Sequence, residues 1–147
     1  MIAIKDFQGI KVKVYPMPFV MRAFTIGLMW RGRVYHVNPS KISNVMLGHE
    51  LVHVEQWKTN KNFYLKYFLI WLRLALTFKR AYKRHPMELE ATILQTSYRG
   101  WENVGKDTYK KYWKYLNITD LELSQLMYPK VDMKQFNEKQ INDLFYG

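Results

Sequence analysis

The spacing of hydrophobic and polar positions changes along this chain, and the changes mark its elements. Ile10-Lys11-Val12-Lys13-Val14-Tyr15 alternates apolar and basic residues. That is the period of a half-buried strand, and its lysines would protect an exposed edge. A short apolar start, Ile2 to Ile4, precedes it across a turn at Asp6 to Gly9, and Pro16 and Pro18 close it. Phe24 to Trp30 and Arg33 to Val37 are rich in β-branched and aromatic residues, with Arg31-Gly32 between them, so a hairpin is expected. Asn38-Pro39-Ser40 ends the second strand, and Ser40 is expected to cap the next helix. From about Lys41 to Lys58 apolar residues recur at helical spacing on both sides: Ile42, Val45 and Val52 on one, Leu47, Leu51 and Val54 on the other. Such a helix is buried centrally.

Asn60 to Asn62 is a polar break. Phe63 to Arg84 then reads as a long helix dense in aromatics, expected to pack in the core over the central helix. The rival reading is an interfacial helix, with Trp71 and a basic end at a lipid surface. Pro86 opens a helix with an apolar stripe of Met87, Ala91, Leu94, Tyr98 and Trp101. Beyond it the pattern predicts helices over Lys106 to Leu116, from a cap at Thr119 or Asp120 to Met127, and over Met133 to Phe145. The fold class expected is α+β: a mostly helical single domain over 1–147, with a small N-terminal antiparallel sheet packed on the central helix. Its core spans about 24–101, and 102–147 form a helical extension with no chemistry of its own.

Composition alters this picture in two respects. The chain has 147 residues, 48% of them hydrophobic, so it can bury a core. Cysteine is absent, which removes disulfides, thiolate ligands and thiol nucleophiles and leaves His, Asp and Glu for any metal. Net charge is +11, and no acid occurs between Gln56 and Met87. Basic segment 58–84 is therefore a candidate contact for an anionic membrane surface or nucleic acid. Met1 to Pro18 has no continuous apolar core and does not read as a signal peptide, so the cytoplasm or a virion is the expected setting.

The central helix carries the chemistry. His49-Glu50-Leu51-Val52-His53 has the form H-E-x-x-H. Residues four apart share a helix face, so His49 and His53 can present two imidazole nitrogens to one metal ion. Glu50 lies about 100° further round the helix, beside the ion rather than on it, where it can act as general base towards a metal-activated water. A third ligand must come from elsewhere. Glu88 and Glu90, the first acids after Glu55, stand in or near the first turn of the Pro86 helix, and spacing alone does not choose between them. His36 reads as an ordinary strand residue. Gly48 interrupts the helix at a cost of about 1 kcal/mol; a close approach by another backbone would explain it, and simple tolerance would do so equally.

Gly48 to Trp57, the aromatic helix, and Ala81 to Ala91 together resemble the small gluzincin-like zinc metallopeptidases of bacteria and phages, over roughly Thr25 to Trp101. In that family a second helix supplies a glutamate in an E-x-x-A-D arrangement. Glu88-Leu89-Glu90-Ala91 matches its first four positions, so the resemblance implies Glu88 as third ligand, with Glu90 as the alternative. Thr92 stands where the family often has an aspartate that orients a first-helix histidine. The metzincin extension does not fit, because Gln56 and Thr59 occupy its glycine and histidine positions. The resemblance thus implies a zincin-like fold holding Zn²⁺ through His49, His53 and Glu88, Glu50 as base, and a peptide or protein substrate. Tyr98, Arg84 and His85 are candidates to stabilise an oxyanion. The alternative function is a catalytically silent zinc-fold component of a larger assembly that binds partners through its basic aromatic surface.

Overall fold

The computed structural model describes residues 1–77, 85–96, 101–115 and 118–146. Strands β1 (Ala3–Phe7) and β2 (Ile10–Pro16) form a hairpin, turning at Gln8 and Gly9, both at positive φ, with Asp6 accepting from the Gly9 N–H. A short 3-10 helix, Phe19–Ala23, follows Pro18. β3 (Gly27–Trp30) and β4 (Arg33–His36) form the second hairpin around Arg31-Gly32, again at positive φ. Phe24 to Ile26, expected as strand, lie outside it. The sheet order is β1-β2-β4-β3. It is mixed rather than wholly antiparallel, because β2 and β4 run parallel, with Val14 opposite Val34. The two hairpins meet side by side, and the segment between them returns the chain to the same end of the sheet before β3 and β4.

The central helix α1 runs over Asn44–Thr59. Ser43, not Ser40, caps it, accepting from the Met46 N–H at 3.1 Å. Pro39–Lys41 make a 3-10 turn in which the Ser40 hydroxyl bonds the Asn38 side chain, so Ser40 has no helix end to cap. α1 is buried on both sides, as its two apolar stripes require. Leu47, Val52 and Val54 join Phe7, Val14, Met29 and Val34 of the sheet in the main core. Each large apolar side chain so buried contributes about 1.5–3 kcal/mol.

α2 (Phe63–Thr77) and α3 (Pro86–Leu94) follow. Residues 78–84, the rest of the expected aromatic helix with much of its basic end, lie outside the described residues. So do 97–100, which include Tyr98. α4 (Thr108–Tyr112) continues into a 3-10 turn, α5 (Asp120–Met127) is capped by Thr119, and α6 (Glu138–Tyr146) is separate from a short 3-10 turn at Met133–Gln135. The expected single helix over Met133 to Phe145 is therefore two pieces. The C-terminal helices pack on α3 through Leu89, Ile118 and Leu123.

α2 departs most from expectation. Phe63 and Leu74 are buried and Tyr67 and Ile70 are partly so, but the opposite face is open to solvent. It is a core helix on one side only. Among the described residues, no helix is long and apolar enough to cross a membrane.

Gly48 is explained by packing. A Cβ built there would lie 2.0 Å from the carbonyl oxygen of Gln95, just past the end of α3, and 3.0 Å from the Phe7 ring. Only a residue without a side chain lets α1 and the end of α3 approach this closely. That approach brings the α3 side chains to the α1 histidines.

Candidate metal centre

α1 presents His49 and His53 on one face, and α3 presents Glu88 to both. Glu88 Oε2 lies 2.8 Å from His49 Nε2, and Glu88 Oε1 lies 3.0 Å from His53 Nε2. One ligand atom from each of the three residues falls within 4.8 Å of the others. Two imidazole nitrogens and a carboxylate oxygen meeting on a helix pair are a donor set suited to a metal ion.

The outer nitrogens are fixed as metal-binding histidines require. His53 Nδ1 is 2.7 Å from the side-chain oxygen of Gln56. The Gln56 amide nitrogen donates to the Met87 carbonyl and to Glu90 Oε1, both at 2.9 Å, so the amide can only turn its oxygen to His53. His49 Nδ1 is likewise 3.0 Å from the side-chain oxygen of Gln95. An amide oxygen accepts and never donates. Both Nδ1 atoms therefore carry protons, and both Nε2 atoms are directed to the shared position beside Glu88. Burial alone would push the His53 imidazole down. The Glu88 carboxylate, then Glu50, outweigh that and hold it up to about 9. Burial likewise opposes the Glu88 charge, yet the two imidazoles hold its carboxyl well below the usual range. The site favours positive charge between His53 and Glu88.

Glu90 stands apart. Two residues on a helix are about 200° apart, so Glu88 and Glu90 cannot face the same way. Glu90 Oε1 accepts from Gln56, from the Gly105 N–H at 2.9 Å and from the Thr108 hydroxyl at 3.2 Å. It braces Gln56, and through it His53. Residues 102–147, expected to be without chemistry, thus support the site through Gly105 and Thr108. Thr92 needs no aspartate in its place, since Gln56 and Gln95 do the orienting. The orienting roles of Gln56 and Gln95 were missed in the sequence; the signals that could have pointed to them are their spacings, three residues after His53 and seven after Glu88. Tyr67 was not legible. Its hydroxyl donates to Glu88 Oε1 at 2.8 Å, which follows only from how α2 packs.

Glu50 is buried, and its side chain makes no hydrogen bond to another described residue. Burial, reinforced by the nearby Glu88 charge and opposed by the histidines, raises its carboxyl pKa. It lines a cleft of about 350 Å³ with His53, Glu88, Tyr67, Tyr64 and the whole of β3. Among the described residues β3 is an edge strand of the sheet, with the Gly27 N–H and C=O both bonded to the Thr25 hydroxyl.

Of the expected oxyanion groups, Arg84 and Tyr98 lie outside the described residues. His85 is unsuited to the role. It is fully buried, its Nδ1 accepts from the Met87 N–H, and its Nε2–H donates to the Tyr67 carbonyl at 2.9 Å. It caps α3 and stacks on Tyr67, with ring centroids 4.0 Å apart. His36 is buried on β4, and its Nδ1 accepts from the Asn38 N–H, away from the cluster.

His85 gives a pH prediction. Burial lowers its pKa from 6.5 to about 4. The unfolded chain then takes up this proton at a higher pH than the folded one. The stability from neutral His85 is complete above the unfolded value and is lost as pH falls from about 6.5 towards 4, up to about 3 kcal/mol. Urea unfolding at pH 7 and pH 4.5, with chelator present, should show this loss. His85→Asn, which can still cap α3 but does not titrate, should reduce the pH dependence by most of that amount; an equal fall in both proteins would exclude His85 as its source.

No protein-family model, curated protein or solved structure matches this chain.

Proposed function

We propose that this chain is a zinc-dependent peptidase. The observation that carries the reading is the convergence of His49 Nε2, His53 Nε2 and the Glu88 carboxylate, with both outer histidine nitrogens fixed by glutamine oxygens and a buried glutamate beside them. Three protein ligands and a cleft on the fourth side are the arrangement of a catalytic rather than a structural zinc. Bound there, zinc would supply Lewis acidity, polarising a carbonyl and making water easier to deprotonate.

The chain's own residues do the rest. Glu50, with its pKa raised by burial, takes a proton from the attacking water and returns it to the leaving amine. Tyr67 holds Glu88 in position through its hydroxyl. β3 is an edge strand lining the cleft, and an extended peptide laid along it would pair with the backbone groups beyond Gly27, whose N–H and C=O are taken by the Thr25 hydroxyl.

The first test is metal content. After dialysis against zinc and then buffer, wild type should carry close to one zinc per chain by elemental analysis. His53→Ala and Glu88→Ala should each lose it, while a mixture of unfolded polypeptides should be cleaved by wild type and spared when chelator is added. No zinc in the wild type would end the proposal. Zinc without cleavage would leave a metal-binding protein that is not a peptidase.

A further inference from the structure

α2 is apolar nearly all round. Phe63, Tyr67, Ile70 and Leu74 face the site and the core. On the other side Leu65, Phe68, Leu69, Leu72 and Leu76 fall within about 100° of arc. These five are 38 to 80% exposed. A helix with two apolar faces is normally covered on both, and a continuous exposed stripe of this size marks a contact surface.

Charge identifies the occupant. The stripe is flanked by exposed Lys61, Lys66 and Arg73, and no acid occurs on α2. The Arg73 guanidinium packs over Trp113, 4.6 Å from the ring centroid. That contact brings the segment bearing exposed Lys110, Lys111 and Lys114 beside the same helix. A second copy docked here would set these cations against its own. An anionic bilayer complements both parts of the surface, taking leucines and Phe68 at the acyl boundary and cations at the headgroups. Trp71, stacked on Phe68 at 6.2 Å, stands at the border of the stripe, where indoles favour the interface. Over its described residues α2, with Lys66 and Arg73 on it, is neither long nor apolar enough to cross a bilayer, and it is placed along the surface.

We propose that the outer face of α2 docks this protein on an anionic lipid surface. The helix lies along the bilayer with its inner face still lining the cleft. The other lip is formed by the 3-10 helix Phe19–Ala23, through Met21, and it too exposes apolar groups, Phe19 and Val20. If the peptidase reading holds, the substrates are polypeptide segments held at the membrane surface; the docking itself does not depend on that reading.

The test is co-flotation of the full chain with vesicles of phosphatidylcholine, alone or with about one-third phosphatidylglycerol. Wild type should float with the anionic vesicles about tenfold more than with the neutral ones. Leu69→Asp/Leu72→Asp, at exposed positions away from the site, should keep wild-type circular dichroism and zinc content and lose about tenfold in vesicle binding. His53→Ala should float as wild type does, which separates docking from the metal site. Absence of wild-type binding overturns the proposal. So does binding that survives the double aspartate variant, since that is adsorption of a basic protein through charge alone. Concentration-dependent dimerisation abolished by the same variant, without vesicle binding, assigns the face to a second copy and also overturns it.

Discussion

Replacing Glu50 by glutamine is expected to leave zinc content unchanged and to reduce peptide hydrolysis by about 10²–10⁴-fold. The amide fills the same space and keeps the helix face intact, but it cannot take a proton from water. Glu50 is not among the converging ligand groups, so metal retention should not depend on its charge. The loss corresponds to about 3–5 kcal/mol of transition-state stabilisation. Steady-state kinetics on one cleaved peptide, beside elemental analysis of the same sample, is the measurement. The loss should fall on kcat more than on KM, because the base acts in the chemical step. Undiminished turnover would remove Glu50 from the reaction while leaving the metal site standing. Loss of the zinc as well would mean the carboxylate holds the metal, and the division of roles between Glu50 and Glu88 would have to be redrawn.

The second large effect is structural. Gly48→Ala would gain about 1 kcal/mol from helix propensity alone. Here it should instead destabilise by about 3 kcal/mol, because the new methyl would stand 2.0 Å from the Gln95 carbonyl oxygen. Backbone, not a flexible side-chain tip, is what it meets, so α1 and the end of α3 must separate. For a chain of this size the thermal midpoint should fall by about 10 °C. The separation also draws the Gln95 amide away from His49 Nδ1, so zinc affinity should drop about tenfold or more. Thermal unfolding and competition against a zinc chelator read the two effects separately. A midpoint that rises would show Gly48 to be an ordinary helix glycine.

The sequence alone determined what depends on local geometry. The helical period puts His49 and His53 on one face and Glu50 beside them, whatever else the chain does. The turn at Arg31-Gly32 and the apolar residues on both sides of α1 are legible for the same reason: each is decided within a few residues. The same period requires Glu88 and Glu90 to point apart. It does not say which faces the histidines, because the turn of α3 about its own axis is set by contacts far along the chain. Gly105, Thr108 and Gln56 engage Glu90, and that leaves Glu88 to the cluster. By residue type Ser40, which follows the strand-ending Asn38-Pro39, can cap a helix. Only the 3-10 turn at Pro39–Lys41 moves the cap to Ser43.

Gly48 as a place of close approach was legible only as one of two equal readings of a glycine inside a buried helix. That the partner is the Gln95 backbone was not, nor was the consequence that one residue serves both packing and histidine orientation. α2 is the clearest limit. Its composition points to the core and keeps an interface as the rival, because a helix apolar nearly all round has no clear polar side to indicate where water lies. Only tertiary packing decides which face meets the site and which is left open. It gives Phe63, Tyr67 and Leu74 to the interior and leaves Leu65, Leu69 and Leu72 in solvent.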